Sequence, residues 1–518
     1  MKTYQPILSF ERSQELERRI LGGSAELSYA AMERAGTGLA ECFLREFAYI
    51  LPKRPKILAL VGNGHNGGDA LIALREIARE FPDAEISIVC KDSPDSFKPN
   101  TRTAFEKLAA TAKSPAILPH DKFGEIAGGK FDLFVDGLLG MGFNPPIKEY
   151  LAAEIETANA VNATLKISVD VPSGAADTEQ SPIFCADATY ATGICKDALF
   201  KPFNRKFAGR IRYVDIGFFD APAANGFAQR NRFITSPNAL DFLKAPRRSI
   251  SDKRTFGHLF VIAGSRRYSG AAMLAVKSAL RGGAGLVSAF VPETFAATFA
   301  AAEPSAMWIG CPEDESGAIA LESFGLIRAK LSSATALLCG SGLSDSPETL
   351  ALLCEVLKTA PDLPAVLDAD AIRKQTAEAL PARNAPALLT PHEGEILRIA
   401  RDASDESLLQ ACKKYNCCIA LKSSATRISD GEKIVYQTRG CPALARAGSG
   451  DILAGLAGSL AANKSHGFEN AAFEAGICAS AWLGLAAENA AAKLGETALA
   501  TSDIIKFLPS ALRRNGGA

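Results

Sequence analysis

The alternation of short β-type runs with helical segments restricts the fold of this chain more than any other feature. In the first half the β-type runs are 56–61, 86–90, 131–135, 166–171 and 210–216. In the second half they are 258–263, 286–291, 334–339, 365–367, 387–389 and 417–421, followed by Ala-rich helical segments. Because strands that alternate with helices are typical of mostly parallel sheets, each half predicts an α/β fold.

A break in this alternation predicts where the chain divides. The stretch APAANGFAQRNRF at 221–233 combines small residues with Pro, Gly and Asn, which is typical of a connection. The chain has 518 residues, more than a single hydrophobic core usually organises. We therefore predict two domains, 1–222 and 235–515, each binding its ligands beyond the carboxyl ends of its strands.

Composition narrows the classes of partner. The 57 Lys and Arg residues balance 57 Asp and Glu residues, so no broad positive field is available to bind a nucleic acid. The twelve cysteines form no CxxC pair and the five histidines are far apart, so no structural metal is indicated. No apolar run approaches the ~18 residues of a membrane span. We expect a cytoplasmic protein without a membrane partner.

A glycine loop follows the first strand-like run. KILALV leads into GNGHNGGDA, where Gly62, Gly64 and Gly67 satisfy G-x-G-x-x-G ahead of the helical segment LIALREIARE. Such a loop can bring backbone N–H groups against a phosphate. A dinucleotide dehydrogenase would also need a ribose-binding acid, for which only Asp92 is available. A glycine-rich turn without a ligand is the plain alternative.

Oxygen-bearing side chains lie on the glycine loop and on two further loops of the first half. Asn66, Asp136 and Ser173 offer hard oxygen ligands, which suit an alkali or alkaline-earth cation. Asp170 ends a strand-like run and is followed by Pro172, which places a carboxylate at the mouth of an α/β sheet. We interpret Asp170 as a catalytic acid or base; a capping or turn-forming role is the alternative.

These loops resemble, in order, the three signatures of the NAD(P)H-hydrate epimerase family. The signatures are Asn66-Gly67-Gly68-Asp69, the segment 136–142 with Gly140, Met141 and Gly142, and Asp170-Val-Pro-Ser173-Gly174; MERAG at 32–36 matches as well. The resemblance covers roughly residues 10–220 and implies a Rossmann-like three-layer sandwich. It implies potassium at Asn66, Asp136 and Ser173 and catalysis by Asp170. The hydrate-binding residues that it implies are His65, Asn66, Gly67, Gly68, Asp69, Gly140, Met141, Gly142 and Asp170.

His65 departs from the family, which usually has Asn at this position. An imidazole can still donate a hydrogen bond to a phosphate. The alternative is that His65 weakens the epimerase site.

The second half contains an anion-binding helix start. Ala447-Gly448-Ser449-Gly450-Asp451 precedes the helical segment ILAGLAGSLAA, so small residues expose backbone N–H groups at the helix N-terminus. These groups stabilise negative charge that develops on a phosphoryl group. Asp451 can accept the proton of a hydroxyl that attacks the phosphoryl group. A simple helix cap would also use Ser or Asp here.

This loop and seven further segments resemble the ADP-dependent NAD(P)H-hydrate dehydratase family, which has a ribokinase-like fold. The segments are 251–275, 279–287, EPSAM at 303–307, CGSGLS at 339–344, VLDADAI at 366–372, LTPHEGE at 389–395 and LKSSAT at 421–426. The resemblance assigns the hydrate to Ala271 or Ala272, Gly342, His392 and Asp451. It assigns the adenine nucleotide to Lys422, Ser423, Ser424, Ala425, Thr426 and Gly450.

Three features of these segments leave alternatives open. The family usually has Lys-Gly-Ala-Gly-Thr where this chain has Lys422-Ser-Ser-Ala-Thr426, so that Ser423 and Ser424 carry side chains where glycine is commoner, and Cys441 replaces the usual Asn before Pro442. His392 is also compatible with an ordinary hydrogen-bonded loop histidine. The exact nucleotide contacts therefore stay open.

Together the two resemblances imply repair of hydrated nicotinamide cofactors. R and S hydrates would be epimerised, and the S form dehydrated with ADP to NAD(P)H, AMP and phosphate. Magnesium is expected as the phosphate counter-ion, and a homo-oligomer is expected. The preference between hydrated NADH (NADHX) and hydrated NADPH (NADPHX) stays open. The alternative is a ribokinase-like small-molecule kinase fused to a non-catalytic nucleotide-binding domain.

Overall fold

The computed structural model describes residues 3–90, 93–113, 115–227 and 231–513. The chain forms two compact units. The N-terminal unit is Gln5–Pro237, and the C-terminal unit comprises Asn238–Ala518 with Met1–Tyr4. The boundary between the two units lies just beyond the stretch 221–233, which the sequence predicts as the connection. Residues 228–230 of this stretch lie outside the described residues. Asp92, the candidate ribose-binding acid, also lies outside them. The division of activities between 1–222 and 235–515 stays a prediction.

The first part of the chain alternates strands with helices, as the sequence predicts. The strands are β1 (Tyr4–Leu8), β2 (Lys56–Val61), β3 (Glu85–Val89), β4 (Ala116–Leu118), β5 (Lys130–Gly137), β6 (Asn162–Val169), β7 (Ala188–Thr192), β8 (Cys195–Lys196), β9 (Arg210–Val214) and β10 (Arg232–Thr235). The helices are α1 (Phe10–Leu21), α2 (Ala25–Phe47), α3 (His65–Glu80), α4 (Pro99–Thr111), α5 (Phe123–Ala127), α6 (Glu149–Ala160) and α7 (Pro202–Arg205).

The main sheet of the N-terminal unit is parallel and buried on both faces. Its order is β4-β3-β2-β5-β6-β7-β9. Successive residues of β2 enter opposite cores: Ile57 and Ala59 pack with α2 and α3, whereas Leu58 and Leu60 pack with α5 and α6. A strand that is apolar on both faces is what a sheet between two helical layers requires. This part of the chain is a three-layer α/β sandwich, as predicted.

The strand order reverses between β2 and β5. The chain runs outward from β2 to β3 and β4 and then returns to β5 on the other side of β2. The two loops that leave these strands meet, since the Gly62 N–H donates to the Gly137 carbonyl over 3.0 Å. Ligands of open parallel sheets bind at such reversal points. The glycine loop and Asp136 both lie there.

The C-terminal unit repeats the alternation with a longer series. Its strands are β11 (His258–Ile262), β12 (Leu286–Pro292), β13 (Met307–Cys311), β14 (Ala336–Cys339), β15 (Ala365–Leu367), β16 (Ala387–Leu389), β17 (Cys417–Leu421), β18 (Thr426–Ser429) and β19 (Ile434–Gln437). Its helices are α8 (Ser269–Arg281), α9 (Glu293–Ala302), α10 (Phe324–Arg328), α11 (Pro347–Thr359), α12 (Lys374–Glu378), α13 (Glu393–Ile396), α14 (Asp405–Tyr415), α15 (Ser449–Ala462), α16 (Ala471–Leu494) and α17 (Thr501–Ala511).

The sheet of the C-terminal unit is mostly parallel. The strands β13-β12-β11-β14-β15-β16-β17 pair in parallel, and β18 and β19 continue the sheet in antiparallel pairing. Its strand order reverses between β11 and β14. Helix α15 packs against α8 and α16, and eleven of its residues, from Ile452 to Ala462, are buried. The apolar run after Asp451 thus forms a core helix whose N-terminus carries the Gly-Ser-Gly-Asp loop.

The predicted strands are confirmed to within a few residues, and the α/β class is confirmed in both units. The sequence missed short or weakly apolar strands, among them β7, whose five residues Ala-Thr-Tyr-Ala-Thr are all buried. Small and hydroxyl side chains give little hydrophobic signal, although tertiary packing buries them. No described helix is long and apolar enough to cross a membrane.

Candidate active sites

Close backbone and side-chain approaches shape the glycine loop after β2. A Cβ at Gly67 would lie 1.9 Å from the carbonyl oxygen of Gly62. A Cβ at Gly68 would lie 2.3 Å from the sulfur of Met32 in α2. Packing therefore accounts for Gly67 and Gly68 even without a ligand. At Gly64, by contrast, no described atom lies within 4 Å of an added Cβ, so this part of the loop is open to a ligand.

Asp136 lies at the end of β5 in a network of hydrogen bonds. Its side chain is buried, with the residue only 1% exposed. Oδ1 accepts a hydrogen bond from Ser173 Oγ over 2.5 Å, and Oδ2 accepts from Ser173 N over 2.9 Å and from Ser168 Oγ over 3.0 Å. Burial raises the pKa of Asp136 to about 6, and the bonds from Ser173 and Ser168 oppose this rise.

Asn66 joins this network through the loop after β5. Its Nδ2 donates to the Leu139 carbonyl over 3.0 Å, and the Leu139 N–H donates to Ser173 Oγ over 2.9 Å. An added Cβ at Gly140 would lie 3.1 Å from Asn66 Oδ1, so the two residues are neighbours. The structure therefore brings Asn66, Asp136 and Ser173 together, and their oxygen donors fit a hard cation.

The rest of the segment 140–142 contacts helix α1. The Met141 carbonyl accepts a hydrogen bond from Gln14 Nε2 over 2.7 Å. No described atom lies within 4 Å of an added Cβ at Gly142. Helix α1 thus lies beside the loop that the sequence assigns to the hydrate.

Asp170 follows β6 in an unusual backbone conformation. Its φ is 65°, in the left-handed region that costs a non-glycine residue of order 1 kcal/mol or more. Its carboxylate forms an ion pair with the Lys196 ammonium. Asp170 is 6% exposed and Lys196 only 1%. The predicted catalytic carboxylate therefore has a buried cationic partner that sequence reasoning missed.

Two more carboxyl groups surround this ion pair. Burial raises the pKa of Glu17 in α1 to about 7, although Lys196 opposes this. Burial also raises the pKa of Asp69 in α3 well above its usual range, and Asp170 and Glu17 add to the rise. The cluster therefore combines three carboxyl groups with one ammonium, which is the material for proton transfer.

His65 begins α3 near the glycine loop. Its Nε2 lies 3.3 Å from the hydroxyl oxygen of Ser28 in α2. Burial and the nearby Lys98 ammonium lower the pKa of His65, so its imidazole is neutral at pH 7. A neutral ring can donate one hydrogen bond, but it brings no positive charge to the loop.

In the C-terminal unit, Gly342 lies directly against the start of α8. Its φ is 68°, and an added Cβ would lie 2.8 Å from the Cβ of Ala271. The neighbouring Ser341 carbonyl accepts a hydrogen bond from the Gly264 N–H over 2.8 Å. The loops after β11 and β14, where the strand order reverses, therefore bring Ala271 and Gly342 together as predicted.

Lys422 follows β17 and connects three strand ends. Its Nζ lies 3.0 Å from Asp368 Oδ1 and 3.8 Å from Glu395 Oε2. An added Cβ at Gly450 would lie 3.1 Å from this Nζ, so Gly450 and the Lys422 ammonium are close neighbours. Burial alone would lower the pKa of Lys422, but Asp368, Glu395 and Asp451 raise it above its usual value. Lys422 is therefore a permanent cation beside the α15 N-terminus.

His392 caps helix α13. Its Nδ1 accepts hydrogen bonds from Gly394 N over 3.0 Å and Glu395 N over 3.2 Å. The ring proton of the neutral form is therefore on Nε2, which lies 3.4 Å from Glu395 Oε1. The His392 backbone also pairs with that of Lys422. Capping the helix therefore engages Nδ1 as an acceptor and leaves Nε2 as a hydrogen-bond donor.

Asp451 lies in the first turn of α15, after Gly448 with a φ of 91°. Burial and the Asp368 carboxylate raise the pKa of Asp451 to about 7, whereas the Ser341 hydroxyl and Lys422 lower it. A carboxyl group with a pKa near neutrality is suited to accept and release a proton. The structure therefore brings Asp451, Lys422 and Gly450 to one place, as the sequence predicts.

The segment after Lys422 closes on itself as a turn. Ser423 Oγ donates to the Ala425 carbonyl over 2.8 Å and accepts from Ala425 N over 3.3 Å. Thr426 Oγ1 donates to the Ser423 carbonyl over 3.4 Å. Ser423 and Ser424 are exposed, so their side chains fit here without displacing the core.

Sequence reasoning missed four charged residues of these sites. Lys196 is the single cation in the apolar run Ala188–Phe200, which is a signal for a paired buried charge. Asp368 and Glu395 lie in the segments 366–372 and 389–395, where the family resemblance assigns them no role. Glu17 gives no signal, because the charged face of α1 looks like an ordinary solvated helix face.

Comparison with known proteins gives two matches along the chain. Residues 28–198 match the family model described as YjeF-related protein N-terminus, and residues 259–510 match NAD(P)H-hydrate dehydratase. The bifunctional NAD(P)H-hydrate repair enzyme Nnr of Moorella thermoacetica is 31% identical over 507 residues, which cover 94% of this chain and 92% of that protein. The protein of the same name from Gloeobacter violaceus is 32% identical over 468 residues, 87% of each chain.

Solved structures resemble parts of the chain. The ADP/ATP-dependent NAD(P)H-hydrate dehydratase from Bacillus subtilis is 25% identical with a TM-score of 0.44, covering 51% of this chain and 92% of that one. A ribokinase-like superfamily protein from Enterococcus faecalis is 24% identical with a TM-score of 0.47, covering 54% and 95%.

Two α/β units, each with charged side chains at its strand ends, define a protein with two candidate enzyme sites. The full-length identity above 30% extends across both units. The chain belongs to the family of bifunctional NAD(P)H-hydrate repair enzymes.

Proposed function

We propose that this chain repairs hydrated nicotinamide cofactors in two reactions. The N-terminal unit interconverts the R and S forms of each hydrate, NADHX or NADPHX. The C-terminal unit dehydrates the S form with ADP. The observation that carries the proposal is the grouping of Asp451, Lys422 and Gly450 inside the region that matches NAD(P)H-hydrate dehydratase. Each unit supplies its own set of charged residues.

Dehydration begins with phosphoryl transfer. Asp451 accepts the proton of the hydroxyl on the hydrated ring as that oxygen takes the β-phosphoryl group of ADP, which releases AMP. The phosphate then leaves with the C–O electron pair and a ring proton is lost, giving NAD(P)H. Phosphate is a far better leaving group than hydroxide, which is why a phosphoryl donor is needed.

The residues around Asp451 stabilise this transfer. The backbone N–H groups of 448–450, at the start of α15, stabilise the negative charge that develops on the transferred phosphoryl group. Lys422 supplies a positive charge to the ADP phosphates, and the turn 423–426 continues the nucleotide site. His392, through its Nε2–H, and Ala271 and Gly342 at the neighbouring strand ends form the hydrate-binding surface.

The nucleotide brings its own counter-ion in this proposal. Mg²⁺ prefers oxygen ligands and keeps bound water, so it would reach the site on the ADP phosphates. The solved Bacillus dehydratase was co-crystallised with ATP and Mg²⁺. No protein ligand of magnesium is assigned in this chain.

For epimerisation we assign potassium to Asn66, Asp136 and Ser173, whose oxygens converge at the ends of β5 and β6. Bound there, potassium would supply positive charge to the hydrate-binding loops. Asp170 acts as the acid or base, and the remaining hydrate contacts are assigned to His65, Gly67, Gly68, Asp69, Gly140, Met141 and Gly142. A cytoplasmic location and a homo-oligomeric state stay predictions.

The variant Asp451→Asn tests the dehydratase assignment in the intact chain. The amide keeps the shape of the carboxylate but cannot accept the proton, so ADP-dependent NADH formation from pure S-hydrate should fall ~10²- to 10⁴-fold. ADP should still bind, as measured by calorimetry, because Lys422 and the loop amides are unchanged. Near-normal turnover of the variant would contradict the base assignment. A stable phosphate ester as the wild-type product would support a kinase instead.

A further inference from the structure

A buried lysine lies at the centre of the N-terminal site. Lys196 is among the largest fully buried side chains of the chain, at 1% exposure. Lysine is almost never buried this deeply unless it is paired, because removing an ammonium from water costs several kcal/mol. Its partner is the Asp170 carboxylate, which is itself 6% exposed.

The backbone fixes both partners of this ion pair. Lys196 lies in β8, where its Cα pairs with Leu8 of β1, and its Nζ donates a second hydrogen bond to the Thr192 carbonyl over 3.0 Å. Asp170 is held with a φ of 65° while its N–H donates to the Tyr190 carbonyl over 2.9 Å. Strained non-glycine residues concentrate where function requires a fixed group. The carboxylate and the ammonium are thus held from two separate strands.

We propose that Lys196 is a positioning residue of the epimerase reaction, whose ammonium, anchored on the Thr192 carbonyl, holds the Asp170 carboxylate charged and fixed as the base. This inference rests on the proposed epimerase function. Lys196 acts through Asp170 and does not itself touch the substrate.

The groups available to donate and accept protons at this site are consistent with Asp170 as the base. A neutral carboxyl group protonates the ring hydroxyl, which leaves as water with the C–O electron pair, and the ring nitrogen stabilises the resulting cation. Water then adds to the opposite face and gives its proton to Asp170, which returns it to the carboxylate that acted as the acid, so that atoms and charges balance and the site is restored. Burial raises the pKa of Glu17 to about 7 and that of Asp69 well above its usual range, so these two can supply the first proton.

The groups that face the ion pair come from several elements. They are Glu17 on α1, Asp69 on α3 and Cys195, whose thiol pKa burial raises further. Lys196 is the single ammonium among the described groups of this cluster. Its removal should therefore leave the Asp170 carboxylate among carboxyl groups alone, as a buried charge without a cationic partner.

The test compares Lys196→Met with Lys201→Met in the intact chain. Lys201 also pairs with a carboxylate, that of Asp197, but lies outside the cluster. For Lys196→Met we expect a ~100-fold lower kcat for R-to-S conversion, with little change in KM. The pH profile of kcat should shift as well, because the variant lacks the single described ammonium that faces the carboxyl groups of this cluster. Lys201→Met should match the wild type in both.

Dehydration of pure S-hydrate with ADP serves as the folding control for each variant. Unchanged kcat and an unshifted pH profile in Lys196→Met, with an active wild type, would overturn the role of Lys196. A wild type that does not convert R-hydrate at all would instead remove the proposed epimerase function.

The double variant Asp170→Asn/Lys196→Met covers the case in which Lys196→Met does not fold. Replacing both partners leaves no uncompensated buried charge. If Lys196 acts only through Asp170, the double variant and Asp170→Asn should epimerise at the same residual rate, within about twofold. A further tenfold loss in the double variant would show that Lys196 has a role independent of Asp170 and would overturn the inference.

Discussion

At the scale of one residue, the partly buried carboxylate of Asp451 lowers the free energy of unfolding of the folded protein. Its carboxyl is largely enclosed near Asp368, and burial raises its pKa to about 7. In the unfolded chain an Asp carboxyl loses its proton near pH 4. Between these two values the folded protein binds more protons than the unfolded chain, so the free energy of unfolding falls as the pH rises. Such a penalty is expected where a carboxylate must serve as a base.

We therefore predict that Asp451→Asn stabilises the C-terminal unit at pH 8.5 but has little effect near pH 4. The gain should grow between about pH 4 and pH 7, to on the order of 2 to 4 kcal/mol. Thermal unfolding across this pH range measures it. Asp503→Asn is the control, because a hydrogen bond from Lys506 lowers the pKa of Asp503. Its carboxylate therefore stabilises the folded protein, so this substitution should lower the free energy of unfolding at pH 8.5 and not raise it. A gain that is independent of pH would contradict the explanation.

At the scale of elements, the ends of β5 and β6 are joined through one carboxylate. Asp136 binds Ser173 and Ser168, and Asn66 reaches the same network through the backbone of Leu139. The geometry of the proposed potassium site therefore depends on a few polar contacts between loops rather than on the core of the sheet.

Asp136→Ala should lower epimerisation about tenfold or more and abolish its response to potassium, because the variant loses both carboxylate oxygens of this network. Asp132→Ala is the matched control, since Asp132 lies at the other end of the same strand, where it accepts a hydrogen bond from Lys56 N over 2.8 Å. R-to-S conversion is measured with and without potassium. Potassium stimulation that persists in Asp136→Ala would remove Asp136 from the proposed ligands.

The elements also show what sequence could and could not predict. Strongly apolar strands such as β2 and β17 were found because a run buried on both faces leaves a continuous pattern. The loops after them carried the polar residues of the sites. Lys196 is visible in the sequence as a single cation in an apolar run, but the run does not show that its partner is Asp170, and Glu17 gives no signal. Their proximity to Asp170 arises only when β8, α1 and the loop after β6, which are distant in sequence, come together in the folded unit.

At the scale of the whole molecule, the two candidate sites use different chemistry. The N-terminal site combines carboxyl groups with a buried lysine, and the C-terminal site combines an aspartate, a lysine and a helix N-terminus. The features of the second site are suited to phosphoryl transfer, because its helix N-terminus and its lysine stabilise negative charge on a phosphoryl group. ADP should therefore be required for dehydration but not for epimerisation.

The most direct test incubates the intact wild-type protein with pure R-hydrate or pure S-hydrate of NADH, with and without ADP, and follows NADH absorbance and the R/S ratio. With ADP, each pure hydrate should be converted fully to NADH. The S-hydrate should react faster, because the R-hydrate must first be epimerised. Without ADP, no NADH should form, but each pure hydrate should become an R/S mixture. NADH formation without any adenine nucleotide, or R-hydrate that persists unchanged with ADP present, would contradict the account.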